Sequence, residues 1–75
     1  PRYYIIVGVY EVKEVAEKMM ENLLDRGFSE RGWMKRPGRI DVYAVSFTQK
    51  EEAENALRKL HNEYPAHRDA WILKR

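Results

Sequence analysis

The chain opens on an uncharged, aromatic and β-branched run, Tyr3-Tyr4-Ile5-Ile6-Val7-Gly8-Val9-Tyr10. Such residues suit a pleated, half-buried surface, and the run predicts a central strand. The period then changes. Val12, Val15, Ala16, Met19, Met20, Leu23 and Leu24 recur at the three- and four-residue spacing of an amphipathic helix, with charged residues on the opposite face. Gly27 stands where a left-handed C-terminal cap is expected. Phe28 to Lys35 is more polar and is interrupted by Gly32, which predicts an edge strand. Arg36-Pro37-Gly38-Arg39 predicts a turn, and Ile40 to Phe47 a third strand. Thr48 and Glu51 have the spacing of a capping box. The helix it would start carries an apolar stripe of Ala53, Ala56, Leu57, Leu60 and Tyr64, and Pro65 ends it. Asp69 to Lys74 predicts the last strand.

The element order is β-α-β-β-α-β, the α+β arrangement of ferredoxin-like and RNP-like folds. It implies a four-stranded antiparallel sheet with both helices packed on one face. The other face is left open, and function is expected there. Strand side chains alternate between faces. Tyr3, Ile5 and Val7 form one set and Tyr4, Ile6 and Gly8 the other. In the third strand Ile40, Val42 and Ala44 point inward, leaving Asp41, Tyr43 and Val45 outward. In the last strand Ala70 and Ile72 oppose Trp71 and Leu73. Both sets of the first and last strands are apolar, so alternation alone leaves their facing open. A one-sided sheet normally shows water a polar face. An apolar face here implies a ligand, a partner chain or self-association.

Length and charge narrow the classes. Seventy-five residues make one domain with a thin core, which favours work at a surface over an enclosed substrate pocket. Fourteen basic and twelve acidic residues give a net charge of +2, which permits a polyanionic partner without requiring one. There is no cysteine, so disulfides, thiolate metal sites and a cysteine nucleophile are excluded. No apolar run reaches the roughly 18–20 residues of a membrane span. Both ends are abrupt, and we expect residues 1–75 to be a module excised from a longer protein.

Nothing in the pattern suggests catalysis. His61 and His67 lack the helical spacing of a metal pair, so no metal or other cofactor is expected. Ser29 and Ser46 have no readable base partner. Glu51, Glu52 and Glu54 read as first-turn charges complementing a helix dipole. Met19 and Met20 read as helix packing, and Trp33 as packing in the polar strand or its loop. The basic residues Arg31, Lys35, Arg36 and Arg39 surround the central turn; they could steer an anion, but a solvated hairpin is the plainer reading.

The assembled pattern resembles a SPOR domain. The opening strand Tyr3–Tyr10, the helix end Asp25-Arg26-Gly27-Phe28, the run from Val42 to Phe47 into Lys50-Glu51-Glu52-Ala53, and the closing Asp69-Ala70-Trp71-Ile72-Leu73 are similar to that family's elements in the right order. The resemblance implies a non-catalytic module that binds peptidoglycan glycan strands stripped of stem peptides, in a cell-division or cell-wall protein of the bacterial periplasm or envelope, and it allows a membrane anchor in the parent protein. It places Tyr4, Ile6, Gly8, Val9, Asp41, Tyr43 and Trp71 at or near the glycan. Trp71 is the most persuasive physically, because an indole stacks on a sugar ring while its N–H finds a partner. The chain departs from the family pattern at four positions. Ile6 replaces a frequent Gln, Val9 a Ser, Asp41 a basic residue and Val45 a Gly. That loss of polar groups motivates a second expectation, a protein-interaction or homodimer surface on the same face. RNA or single-stranded DNA binding uses the same topology, but Ile40 to Phe47 offers Tyr43 without the rest of the basic-glycine-aromatic pattern.

Overall fold

Residues 1–75 are described by a computed structural model. The chain forms β1 (Tyr3–Tyr10), α1 (Lys13–Asp25), β2 (Gly32–Arg36), β3 (Arg39–Phe47), α2 (Lys50–Glu63), a short 3-10 turn (Pro65–His67) and β4 (Trp71–Lys74). The four strands make one antiparallel sheet in the order β2-β3-β1-β4. The apolar runs Tyr3–Tyr10 and Arg39–Phe47 occupy its centre, and the more polar β2 lies at an edge, as its composition predicts.

Both helices lie on the same face. Beneath α1, Ala16 and Leu23 pack with Ile40, Val42 and Ala44, joined by Val7, Tyr10, Met19, Met20 and Trp33. Beneath α2, Ala53 and Leu60 pack with Ile5 and Ala70, joined by Tyr3, Val45, Phe47 and Ile72. Phe28 touches both clusters and closes the gap between them.

Helix α1 ends as its sequence predicts. Gly27 takes φ +94°, a left-handed conformation that glycine adopts without Cβ strain. The Phe28 N–H reaches the Leu23 carbonyl at 2.9 Å and the Gly27 N–H the Leu24 carbonyl at 3.0 Å. Those two bonds satisfy carbonyls that the helix end would leave free, in a Schellman arrangement. The same bonds carry Phe28 into the core, so β2 starts at Gly32 rather than at Phe28.

Three further expectations are corrected. Helix α2 begins one residue later than the capping box implies: Gln49 is the N-cap, and no side chain caps the amides. Glu51 and Glu52 in the first turn oppose the positive end of the helix dipole instead. The last strand starts at Trp71, because Asp69 lies in the turn that follows the 3-10 segment.

The third correction concerns facing. Tyr3 and Tyr4 pair with Phe47 and Ser46, Ile6 pairs with Tyr43, and Gly8, Val9 and Tyr10 pair with Val42, Asp41 and Ile40. The register shifts on each side of the Ile6–Tyr43 pair. Between Tyr4 and Ile6 the extra residue lies on β3, at Ala44 and Val45. Between Ile6 and Gly8 it lies on β1. Two compensating bulges thus break the alternation. Val45, expected outward, packs into the core beneath α2. Gly8 passes to the helix-covered face opposite Val42, where a Cβ would run into the Tyr10 ring.

Candidate functional site

Directly opposed residues in an antiparallel pair share a face, so the register defines the open side. It carries Tyr4, Ile6 and Val9 from β1, Gly32, Met34 and Arg36 from β2, Arg39, Asp41, Tyr43 and Ser46 from β3, and Trp71 and Leu73 from β4. Tyr4, Ile6, Val9, Asp41, Tyr43 and Trp71 of the expected site are therefore brought together, and Gly8 is not.

The centre of this face is apolar and aromatic. Ile6 sits in the middle, with Tyr43 opposite on one side and Trp71 on the other. Ile6 is fully buried although no helix covers it. Tyr4 and Tyr43 meet edge to face, with ring centroids 4.9 Å apart, a geometry favoured by the aromatic quadrupole. Tyr43 also lies across Gly32, whose missing side chain makes room for the phenol: a Cβ there would run into the hydroxyl. Trp71 remains 39% exposed at the β4 edge. Of the initial tyrosine pair, Tyr3 goes to the core and Tyr4 to the open face.

Arginines frame the face at both ends. At one end the Arg2 Nε–H donates to the Ser46 hydroxyl at 2.8 Å, while Arg75, just beyond β4, reaches across the sheet to 3.7 Å from the sulfur of Met34, the β2 residue paired with Asp41. At the other end Arg36 Nη1 donates to Asp41 Oδ2 at 3.0 Å, and Arg39 Nη2 to the same oxygen at 3.3 Å. Arg39 Nε also faces Asp41 Oδ1 at 3.0 Å, as an ion-pair contact without hydrogen-bond geometry. The Asp41 carboxylate is fully buried beneath them. An isolated buried carboxylate would be costly, and two guanidiniums offset that cost. Among the residues on this face Asp41 is the sole acid against four arginines. A net charge of +2 over the whole chain therefore hides a strongly positive frame around an aromatic centre.

The basic cluster seen around the central turn divides in the structure. Arg36 and Arg39 converge on Asp41. Lys35 pairs with Ile40 on the helix side and is exposed, and the Arg31 Nε–H donates to the Met20 carbonyl at 2.7 Å. The grouping of Arg36, Arg39 and Asp41 had a readable signal. A two-residue Pro37-Gly38 connection pairs Arg36 with Arg39, and the alternation then puts Asp41 on their face.

The helix side offers less. A crevice of about 260 Å³ between α2 and the end of α1 is lined by Ile5, Phe28, Ala56, Leu60 and Tyr64, with Arg26, Lys59 and Glu63 among its other residues. It is smaller than the roughly 300–1,000 Å³ of small-molecule sites. Near it, His67 is buried and accepts from Arg26 Nη1 at 3.2 Å through Nε2. Burial, and then the neighbouring Arg26 charge, push its pKa below the ordinary histidine value. That favours the neutral ring, which suits a packing role. No helix is long and apolar enough to cross a membrane.

The family model described as SPOR domain matches residues 1–74, and the chain belongs to that family. The family is known as a peptidoglycan-binding module of cell-division proteins, and its members occur in periplasmic proteins of the cell envelope. No curated protein and no solved structure gives a significant match to the chain.

Proposed function

We propose that this SPOR domain is a non-catalytic reader of peptidoglycan that holds glycan strands freed of stem peptides against its open sheet face. The observation that carries the reading is the aromatic strip of Tyr4, Tyr43 and Trp71 across an uncovered sheet, with arginines at both ends. Sugar rings present flat C–H faces that stack on aromatic rings, and their hydroxyls accept from cations at the rim. An extended strand needs a long, shallow surface rather than a pocket, and the sheet provides one. The polar groups absent at Ile6 and Val9 are replaced by the arginine frame as the source of hydrogen bonds.

Sedimentation with peptidoglycan sacculi tests this. The domain is expected to pellet with sacculi whose stem peptides an amidase has removed, and much less with untreated sacculi. Trp71→Ala should abolish pelleting while the domain stays folded. Equal pelleting of the wild type and Trp71→Ala would refute the role given to this face.

One observation favours a second reading. Val9, Val12 and Val15 are exposed together around an open hollow beside Arg39, an apolar rim suited to a protein contact. Concentration-dependent dimerisation in analytical ultracentrifugation, lost on Val9→Ser, would support it.

A further inference from the structure

We propose that Arg36 and Arg39, held in place by Asp41, form a carboxylate-recognition subsite for the lactyl group of muramic acid, and so read the removal of the stem peptide as a change of charge. The proposal rests on the glycan-binding reading above and adds the group recognised.

Burying the Asp41 carboxylate is costly. A fully buried carboxylate on a face with no helix over it is not needed for packing. Hydrophobic replacements of buried ion pairs are often neutral or stabilising. What Asp41 achieves is placement: it fixes two guanidiniums side by side on the open face, within 3.0 Å of one carboxylate. Each guanidinium carries five N–H groups in a planar fork. Asp41 engages Nη1 of Arg36, and Nη2 and Nε of Arg39. The remaining donors have no protein acceptor, and the two side chains are 33% and 37% exposed. One carboxylate against two guanidiniums leaves a net positive charge at the surface. Such a fork matches the geometry of a second carboxylate supplied from outside.

The surroundings suit a lactyl ether. Val9 pairs with Asp41 and is 44% exposed, so an apolar surface for a methyl group adjoins the charge. Tyr43 is the next residue on the same face of β3, about 7 Å along the strand. A sugar stacked at Tyr43 can therefore direct its substituent toward the arginines. In an intact strand the lactyl carboxyl is an amide to the stem peptide and carries no charge. After amidase cleavage it is a free carboxylate. The arginine pair gains an ionic hydrogen-bonded partner only in the second case.

The test alters the ligand and leaves the protein intact. Glycan oligomers with free lactyl carboxylates are compared with the same oligomers converted to lactyl methylamides, by titration of the full domain. The free form is expected to bind about two- to fivefold more tightly, the scale of a partly exposed ion pair. The difference should shrink as salt is raised. In Arg36→Gln/Arg39→Gln the two forms should bind alike, and Arg36→Lys/Arg39→Lys should restore part of the preference. Equal wild-type affinity for both forms would overturn the subsite and leave the glycan-binding reading standing. Failure to bind either form would overturn both.

Discussion

The two faces of the sheet bury residues by different means. On the covered face Ile5, Val42 and Ala44 disappear beneath two amphipathic helices, in a core of side chains locked from both sides. On the open face Ile6 and Asp41 are equally inaccessible, yet no backbone element lies over them. Ile6 is shielded within a layer of neighbouring side chains, and Asp41 by two arginines from the adjoining hairpin. The covered face commits its side chains to stability. The open face has only one layer, whose outer surfaces remain free to meet a ligand. A face that protects its own weakest points need not wait for a partner to become stable, and this is how a small domain can keep an apolar binding surface in water.

Adjacent residues of β1 separate the two faces most clearly. Ile5→Ala leaves a cavity between sheet and helix and should cost about 3–4 kcal/mol. Ile6→Ala should cost less, about 2 kcal/mol, because a single side-chain layer can settle into the gap. Denaturant unfolding of both variants checks the difference. An equal or larger loss at Ile6 would mean that the open face is packed as rigidly as the core.

Two glycines make a second pair. Gly8 lies under Tyr10 on the covered face and Gly32 under Tyr43 on the open face. Alanine at either position forces a ring to move, for about 1–3 kcal/mol. Gly32→Ala should in addition weaken glycan binding by displacing Tyr43, whereas Gly8→Ala should leave affinity unchanged. Thermal unfolding and titration together separate the effects. Trp71→Ala is the reverse case, with a stability cost below about 1 kcal/mol expected at an exposed strand edge and the major loss in binding.

The smallest expected effect concerns pH and the helix side alone. His67 has a folded-state pKa below its unfolded value of about 6.5. Between those values the unfolded chain binds more protons, so stability rises with pH there. It should be complete above about pH 6.5 and decline as the pH falls toward the folded-state value. His67→Gln should flatten that slope in melting curves between pH 7 and 5. A wild-type slope of the opposite sign would contradict the neutral, buried assignment.

Much of this was readable from residues alone, and what was not has a common cause. Aromatic and β-branched runs between turn residues identified the strands, the 3.6-residue period identified the helices, and Gly27-Phe28 marked the end of α1, because those signals are local. The facing of Gly8 and Val45 was hidden because bulges are set by pairing between β1 and β3, more than thirty residues apart in the chain. The first and last strands are apolar on both sides, so alternation could not orient them; pairing through Ile6 did. Asp41 was expected on the open face, where it is, but its burial was missed. A charged residue flanked by arginines reads as solvated until the turn register puts all three on one side.

We assign ligand binding to the open face of the sheet. The most direct measurement is a two-dimensional amide NMR titration of the labelled domain with glycan oligomers freed of stem peptides. Perturbations are expected to concentrate at Tyr4, Ile6, Val9, Gly32, Asp41, Tyr43 and Trp71, with the amides of α1 and α2 nearly still. Perturbations centred on the crevice between the helices, at Ala56, Leu60 and Tyr64, would contradict it.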